Sequence, residues 1–199
     1  MKQTVGIILF NGVEVLDFAG PFEVFSATAE VSEHAPFEVC TISVDGAPVS
    51  AVNNLVVVPH YSFDNHPPVD VLVLPGGSGT RKLLHDELFL NYFIKLYTNA
   101  SVTLSICSGA RVLGKLGLLD HKRYCTHHEV YAEINNIAPL GIPQPDKRFV
   151  RTDTRLYTSG GISAGIDLSF FIVEKLLSPE TATATAGYME YEFQLGVRN

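Results

Sequence analysis

Only three cysteines occur in the 199 residues, Cys40, Cys107 and Cys125. An odd count, without the close spacing of zinc ligands or of a redox pair, argues against a disulfide framework and predicts a reducing, cytoplasmic setting. Basic residues are also scarce: 14 Lys and Arg stand against 21 Asp and Glu, for a formal net charge of −7. Non-specific binding to phosphate backbones needs clustered cations, so nucleic acid is not expected as a direct partner. Long apolar runs are missing. Val5 to Phe10 is too short for a signal-peptide core and ends in Asn11-Gly12, and no later run reaches spanning length, which predicts a soluble protein without a membrane partner. There is no internal repeat, low-complexity stretch or linker, so residues 1–199 are expected to form one domain. What is present is core: 46% hydrophobic residues against 18% charged suit one compact unit.

Thr4 to Phe10 reads as a buried first strand closed by the Asn11-Gly12 turn, and Pro21 is expected to open a helix through Phe22, Val24, Phe25 and Ala29. Phe37 to Ile42 alternates as a half-buried strand, the Asp45-Gly46-Ala47-Pro48 turn leads towards Leu55 to Val58, and Val69 to Leu74 is a second buried strand. Leu84, Leu88, Phe89, Phe93 and Leu96 repeat at helical spacing to about Asn99, before a strand over Val102 to Ile106. A short strand over Tyr124 to His128 precedes a helix with Val130, Ile134 and Ile137. Phe149 to Arg151 and Leu156 to Thr158 read as a hairpin, Ile166, Phe170, Val173 and Leu177 as a helix, and Ser178-Pro179 as the start of a last helix. Strands alternating with amphipathic helices predict an α/β fold, a three-layer sandwich with a mostly parallel sheet covered by helices on both faces. Ligands of such sheets bind beyond the carboxyl ends of the strands.

Three stretches fall at that edge. After the strand to Ile106, Cys107 sits at a sharp turn, with Ser108-Gly109-Ala110 opening a helix that carries Val112, Leu113, Leu116 and Leu119. The unpaired N–H groups and positive dipole end of that helix favour a thiolate, which makes Cys107 a candidate nucleophile; the alternative is a small buried core cysteine. Asp17 lies near the end of strand one among apolar and small residues, either beside the cysteine or, with Glu23, favouring a helix N-terminus. Pro75-Gly76-Gly77-Ser78-Gly79-Thr80 is a glycine-rich turn, either plain or able to aim N–H groups at a developing negative charge; it lacks the Gly-Lys-Ser/Thr ending of a phosphate loop. Of the adjacent His127 and His128, one can face a cleft while the other is solvated. The pair does not make a zinc site.

Taken together, Leu16-Asp17-Phe18-Ala19-Gly20-Pro21, Pro75-Gly76-Gly77-Ser78-Gly79, Ser105-Ile106-Cys107-Ser108-Gly109, Thr126-His127 and Gly160-Gly161-Ile162-Ser163-Ala164-Gly165-Ile166-Asp167 resemble the PfpI/ThiJ family of the class I glutamine amidotransferase-like superfamily, most closely its isonitrile hydratase branch. The resemblance implies a flavodoxin-like fold and a homodimer with the Asp17 region near the partner chain. It assigns Cys107 as nucleophile, Asp17 as the neighbouring acid, the amides of Gly77 and Ser108 as an oxyanion-type hole and His127 to the cleft, with no metal or organic cofactor. The implied activity is hydration of an isocyanide to an N-substituted formamide through a covalent thioimidate on Cys107, with a protonated Asp17 hydrogen-bonded to the sulfur and the Ser108 hydroxyl orienting Asp17 or water. Two alternatives come with the superfamily: a glyoxalase-like or deglycase-like enzyme acting on 2-oxoaldehydes, and a ligand- or redox-sensing domain like that of AraC-type regulators. Ser108 replaces the histidine that peptidase-like members carry after the nucleophile, which removes the base of a protease triad. It also replaces the threonine common among hydratases, keeping the hydroxyl. The chain stops soon after Phe193-Gln194 without a helix-turn-helix, so a complete AraC-type regulator is not expected.

Overall fold

The computed structural model describes residues 2–192. Along the chain run β1 (Gln3–Ile8), α1 (Val15–Val31), β2 (Phe37–Ser43), the paired β3 (Val49–Ser50) and β4 (Val56–Val57), β5 (Tyr61–Ser62), β6 (Val71–Leu74), α2 (Thr80–Leu83) and α3 (Glu87–Asn99). They are followed by β7 (Val102–Ile106), α4 (Ala110–Lys115), the short β8 (Arg123–Tyr124), α5 (Tyr131–Ile137), β9 (Ile142–Pro143), β10 (Phe149–Arg151), β11 (Leu156–Ser159), α6 (Ala164–Leu176) and α7 (Pro179–Tyr188). Seven strands form the central sheet in the order β10-β11-β7-β6-β1-β2-β5, parallel throughout except for the β10–β11 hairpin. Helices α1, α6 and α7 pack on one another, and α2 to α5 form a second group, giving the flanked parallel sheet that the alternation of strands and helices predicts.

Burial explains the strand composition. Residues 71–74 of β6 and 102–106 of β7 are buried throughout, as strands covered on both faces must be, and their continuous apolar runs contrast with the alternation of a sheet that faces water. Register places β1, β6 and β7 side by side, with Ile7 opposite Val73 and Val73 opposite Leu104. Their carboxyl ends therefore deliver the segments after Ile8, Leu74 and Ile106 to one edge. Helix starts follow local chemistry where capping is available: Asp86 accepts the Phe89 N–H, and Ser178 accepts the Thr181 N–H with Pro179 in the first turn.

Several elements differ from the sequence expectation: α4 ends at Lys115, before Leu116 and Leu119, and Leu84 lies between α2 and α3. Helix α1 begins at Val15, not at Pro21, so Pro21 lies inside the helix and Asp17 in its first turn. The missing proline N–H is the one that would have bonded the Asp17 carbonyl. Tertiary packing overrides that loss: Val24 and Phe25 are buried, and Gly20 lets α1 approach Ile166 so closely that a Cβ there would lie 2.8 Å from the isoleucine side chain. The strand expected over Tyr124 to His128 shrinks to Arg123–Tyr124. Beyond it the Cys125 N–H bonds the Thr158 hydroxyl and the Thr126 hydroxyl bonds the Cys107 carbonyl, so side chains there replace ladder partners.

Candidate active site

Cys107 occupies the turn between β7 and a short 3₁₀ segment, Cys107–Gly109, that runs into α4. Its φ of 56° lies in the left-handed region, which a non-glycine residue adopts only when its surroundings enforce it. They do so here: the Cys107 N–H bonds the Gly160 carbonyl at 3.2 Å and its carbonyl accepts the Thr126 hydroxyl at 2.8 Å. The thiol is nearly buried, yet it forms part of the wall of an open cleft of about 210 Å3.

Asp17 lies behind the sulfur. It has no solvent exposure and takes no part in the cleft surface. Oδ2 accepts the Gly76 N–H at 2.9 Å, while Oδ1 is buried without a hydrogen-bond partner, and the Cys107 thiol is the side chain that favours the charged carboxylate. Burial pushes the Asp17 carboxyl up to about 7, against the opposing pull of the Gly76 N–H and the thiol. Asp17 is therefore a carboxyl group that holds its proton to near neutrality.

The sulfur departs from the expectation of a thiolate favoured by the helix N-terminus. Burial, with the neighbouring Asp17 charge, pushes the Cys107 thiol up to about 12, against the lowering influence of the Ser108 and Ile162 backbone N–H groups. Desolvation and a like charge outweigh two amide donors and the dipole of a six-residue helix. The thiol thus keeps its proton at neutral pH, and the pair loses its second proton, that of Asp17, as pH rises through about 7.

Gly76 and Gly77 are required by close approach. A Cβ on Gly76 would lie 2.5 Å from the Ser108 nitrogen and 2.9 Å from Asp17 Oδ2, and one on Gly77, whose φ is 119°, would lie 2.2 Å from the Gly12 carbonyl oxygen. The Gly77 N–H is not an open oxyanion donor: it donates to the Ser108 hydroxyl at 2.8 Å, and that hydroxyl donates back to the Gly77 carbonyl at 3.2 Å. Ser108 therefore locks the glycine turn to the cysteine elbow, and the second N–H at the sulfur comes from Ile162 instead. Ile162 carried only a place within a motif in the sequence. Its positive φ of 47°, unusual for a β-branched residue, appears only in the folded chain.

His127 is the histidine of the cleft, while the His128 side chain is 81% exposed. The His127 ring packs on Gly161 and its Nδ1 accepts the Glu129 N–H at 3.3 Å, which leaves the proton of the neutral ring on Nε2. Sequence reasoning missed a polar wall. The buried Arg111 guanidinium lines the cleft, donating to the Thr80 hydroxyl at 2.9 Å and to Glu133 at 2.7 Å, and Arg81 grips the same Glu133 carboxylate. Those two cations hold the Glu133 carboxyl below its usual range despite partial burial. Arg111 could have been noticed as a charge on the apolar face of the helix after Cys107, but its partner lies 22 residues away. Among the described residues no group of three or more His, Cys, Asp or Glu could hold a metal ion, and no helix is long and apolar enough to cross a membrane.

Comparison with known proteins adds relatives to this geometry. The DJ-1/PfpI family matches residues 3–175. Isonitrile hydratase of Pseudomonas putida is 34% identical over 191 residues, 96% of this chain and 79% of that protein. The HTH-type transcriptional regulator GbdR of Pseudomonas aeruginosa is 25% identical over 191 residues, and there the match spans only 51% of the regulator. Among solved structures, a ThiJ/PfpI family protein from Pseudomonas syringae superposes with a TM-score of 0.86 at 24% identity, covering 100% of this chain and 78% of that one.

Proposed function

The chain belongs to the DJ-1/PfpI family, and from that premise we propose that it is a cysteine-dependent enzyme that hydrates an isocyanide, R–N≡C, to an N-substituted formamide. The observation that carries this reading is the buried Asp17 carboxyl group set against the Cys107 thiol at the floor of the cleft. An isocyanide needs a nucleophile and a proton at the same terminal carbon, and this pair supplies both. As the sulfur attacks, its proton passes by way of Asp17 to that carbon, giving the thioimidate R–N=CH–S–Cys107. Water then adds to the carbon and its second proton goes to nitrogen. The C–S bond breaks, the hydroxyl proton returns to the pair, and R–NH–CHO leaves. The Ser108 and Ile162 N–H groups stabilise negative charge at the sulfur, and preorganised donors of this kind are each worth about 2.7–4 kcal/mol of barrier. Neither metal nor organic cofactor enters these steps. Gly77 acts by fixing the Ser108 hydroxyl.

The reading extends to a single-domain homodimer working in the cytoplasm on a small molecule. It is tested by steady-state formamide production from a simple isocyanide by the unmodified protein, Cys107→Ser and Asp17→Asn. Many turnovers lost in both variants support it; full activity in Asp17→Asn refutes the proton relay. The similarity to GbdR favours one second reading, a ligand-sensing domain, which shows saturable binding without turnover. The cleft-facing His127 favours another enzyme, glyoxalase-like or deglycase-like, and turnover of a 2-oxoaldehyde that His127→Ala abolishes supports it.

A further inference from the structure

Of the two backbone amides that favour the charged form of the Cys107 sulfur, that of Ser108 belongs to the elbow itself, but that of Ile162 comes from the turn between β11 and α6, which also bonds the Cys107 N–H through the Gly160 carbonyl. The Ile162 conformation is costly: a β-branched residue at a φ of 47°, with its side chain 38% exposed, gains little burial in return. Something else must hold it, and the holding groups converge on one residue. The Arg148 carbonyl accepts the Gly160 N–H at 2.8 Å, fixing the turn before Ile162, and the Gly160 carbonyl in turn accepts the Cys107 N–H. On the far side the Arg148 guanidinium donates to the Ser163 hydroxyl at 3.3 Å and pairs with Asp167, in the first turn of α6, at 2.5 Å. Asp167 is braced by the Tyr191 hydroxyl at 2.7 Å. One arginine thus grips the 160–163 turn by both flanks.

We propose that Arg148 is a positioning residue: its guanidinium clamp on Ser163 and Asp167, with its carbonyl on the Gly160 N–H, holds the 160–163 turn against the Cys107 elbow and so sets the reactivity of the thiol. Arg148 does not line the cleft and acts through the 160–163 turn. The charged and titratable groups around the sulfur and its cleft are Asp17 on α1, Glu14 just before it, Arg81 on α2, Arg111 on α4, and His127 and Glu129 after β8, and replacing Arg148 changes none of them. The planar fork explains why arginine suits the place: it reaches a hydroxyl and a carboxylate at once, which an ammonium group does not.

The inference rests on the reading of Cys107 as the nucleophile, and its test needs no isocyanide turnover, so the two fail separately. Carbamoylmethylation of Cys107 by iodoacetamide is followed from about pH 7 to about pH 10 by peptide mass, which separates Cys107 from Cys40 and Cys125. In Arg148→Ala the rate is expected to fall about tenfold at each pH, which displaces the line of log rate against pH towards higher pH by about one unit. Arg148→Lys is expected to fall between Arg148→Ala and the unmodified protein. Asp167→Asn, which weakens the anchor while leaving Arg148 in place, is expected to move in the same direction and serves if Arg148→Ala does not fold. Lys122→Ala is the control, since it breaks a comparably exposed ion pair with Asp153 far from the turn. Unfolding midpoints are measured beside the rates. A lower midpoint with an unchanged alkylation profile in Arg148→Ala, or an equal displacement in Lys122→Ala, overturns the proposal.

Discussion

Asp17 makes the protein less stable as pH rises, and the size of that effect can be worked out. Its ordinary value is 3.8 and its folded value about 7, so between these limits the native state binds a proton that the unfolded chain has already released. The folded pKa is raised, so the stabilisation is fully present below the unfolded value and lost as pH rises through about 7. Between pH 5 and pH 8 the loss amounts to roughly 2–3 kcal/mol, from the linkage relation with those two values. Asn at this place keeps an oxygen for the Gly76 N–H and has no proton to lose. Urea unfolding of the unmodified protein and of Asp17→Asn at both pH values isolates the contribution, because every other titrating group is common to the two. The unmodified protein should lose roughly 2–3 kcal/mol more than the variant on going from pH 5 to pH 8, which thermal melts of the two proteins would read as a difference of roughly 5–10 °C in midpoint for a chain of this size. Equal pH dependence in both would refute the raised carboxyl, and with it the shared proton on which the relay depends.

Two further predictions concern the supports of the site. Ser108→Ala removes the acceptor of the buried Gly77 N–H, so a loss of about 1–3 kcal/mol is expected in chemical denaturation, with Ser108→Thr recovering most of it. Glu133→Gln leaves the buried Arg111 charge without its carboxylate. The cost at pH 7 is expected to be about 2 kcal/mol, below the value for a fully buried pair because Glu133 is partly exposed. The folded Glu133 value is depressed, so its contribution is present above 4.5 and lost as pH falls through the folded value. Unfolding curves of Glu133→Gln and the unmodified protein should therefore converge in acid.

The sequence by itself determined the α/β layering, the runs that became β1, β6 and β7, the elbow at Cys107 and the meeting of Asp17, the Gly76-Gly77 turn and Cys107 at one sheet edge. These follow from local periodicity, turn chemistry and the rule that parallel sheets bind ligands at their carboxyl ends, all of which are written in short stretches of chain. Only the tertiary structure decided where α1 begins, because the packing of Val24, Phe25 and Gly20 outweighs the preference of Pro21 for a first turn. It also decided the charge states at the site: desolvation is a sum over everything that surrounds a group, so the raised Asp17 and Cys107 values have no local signature. The Gly77 N–H turned to the Ser108 hydroxyl, Ile162 became the second donor at the sulfur, and Arg111 found Glu133, each across 22 or more residues of chain. Residue types announce which groups can bond; the fold alone chooses which of them meet.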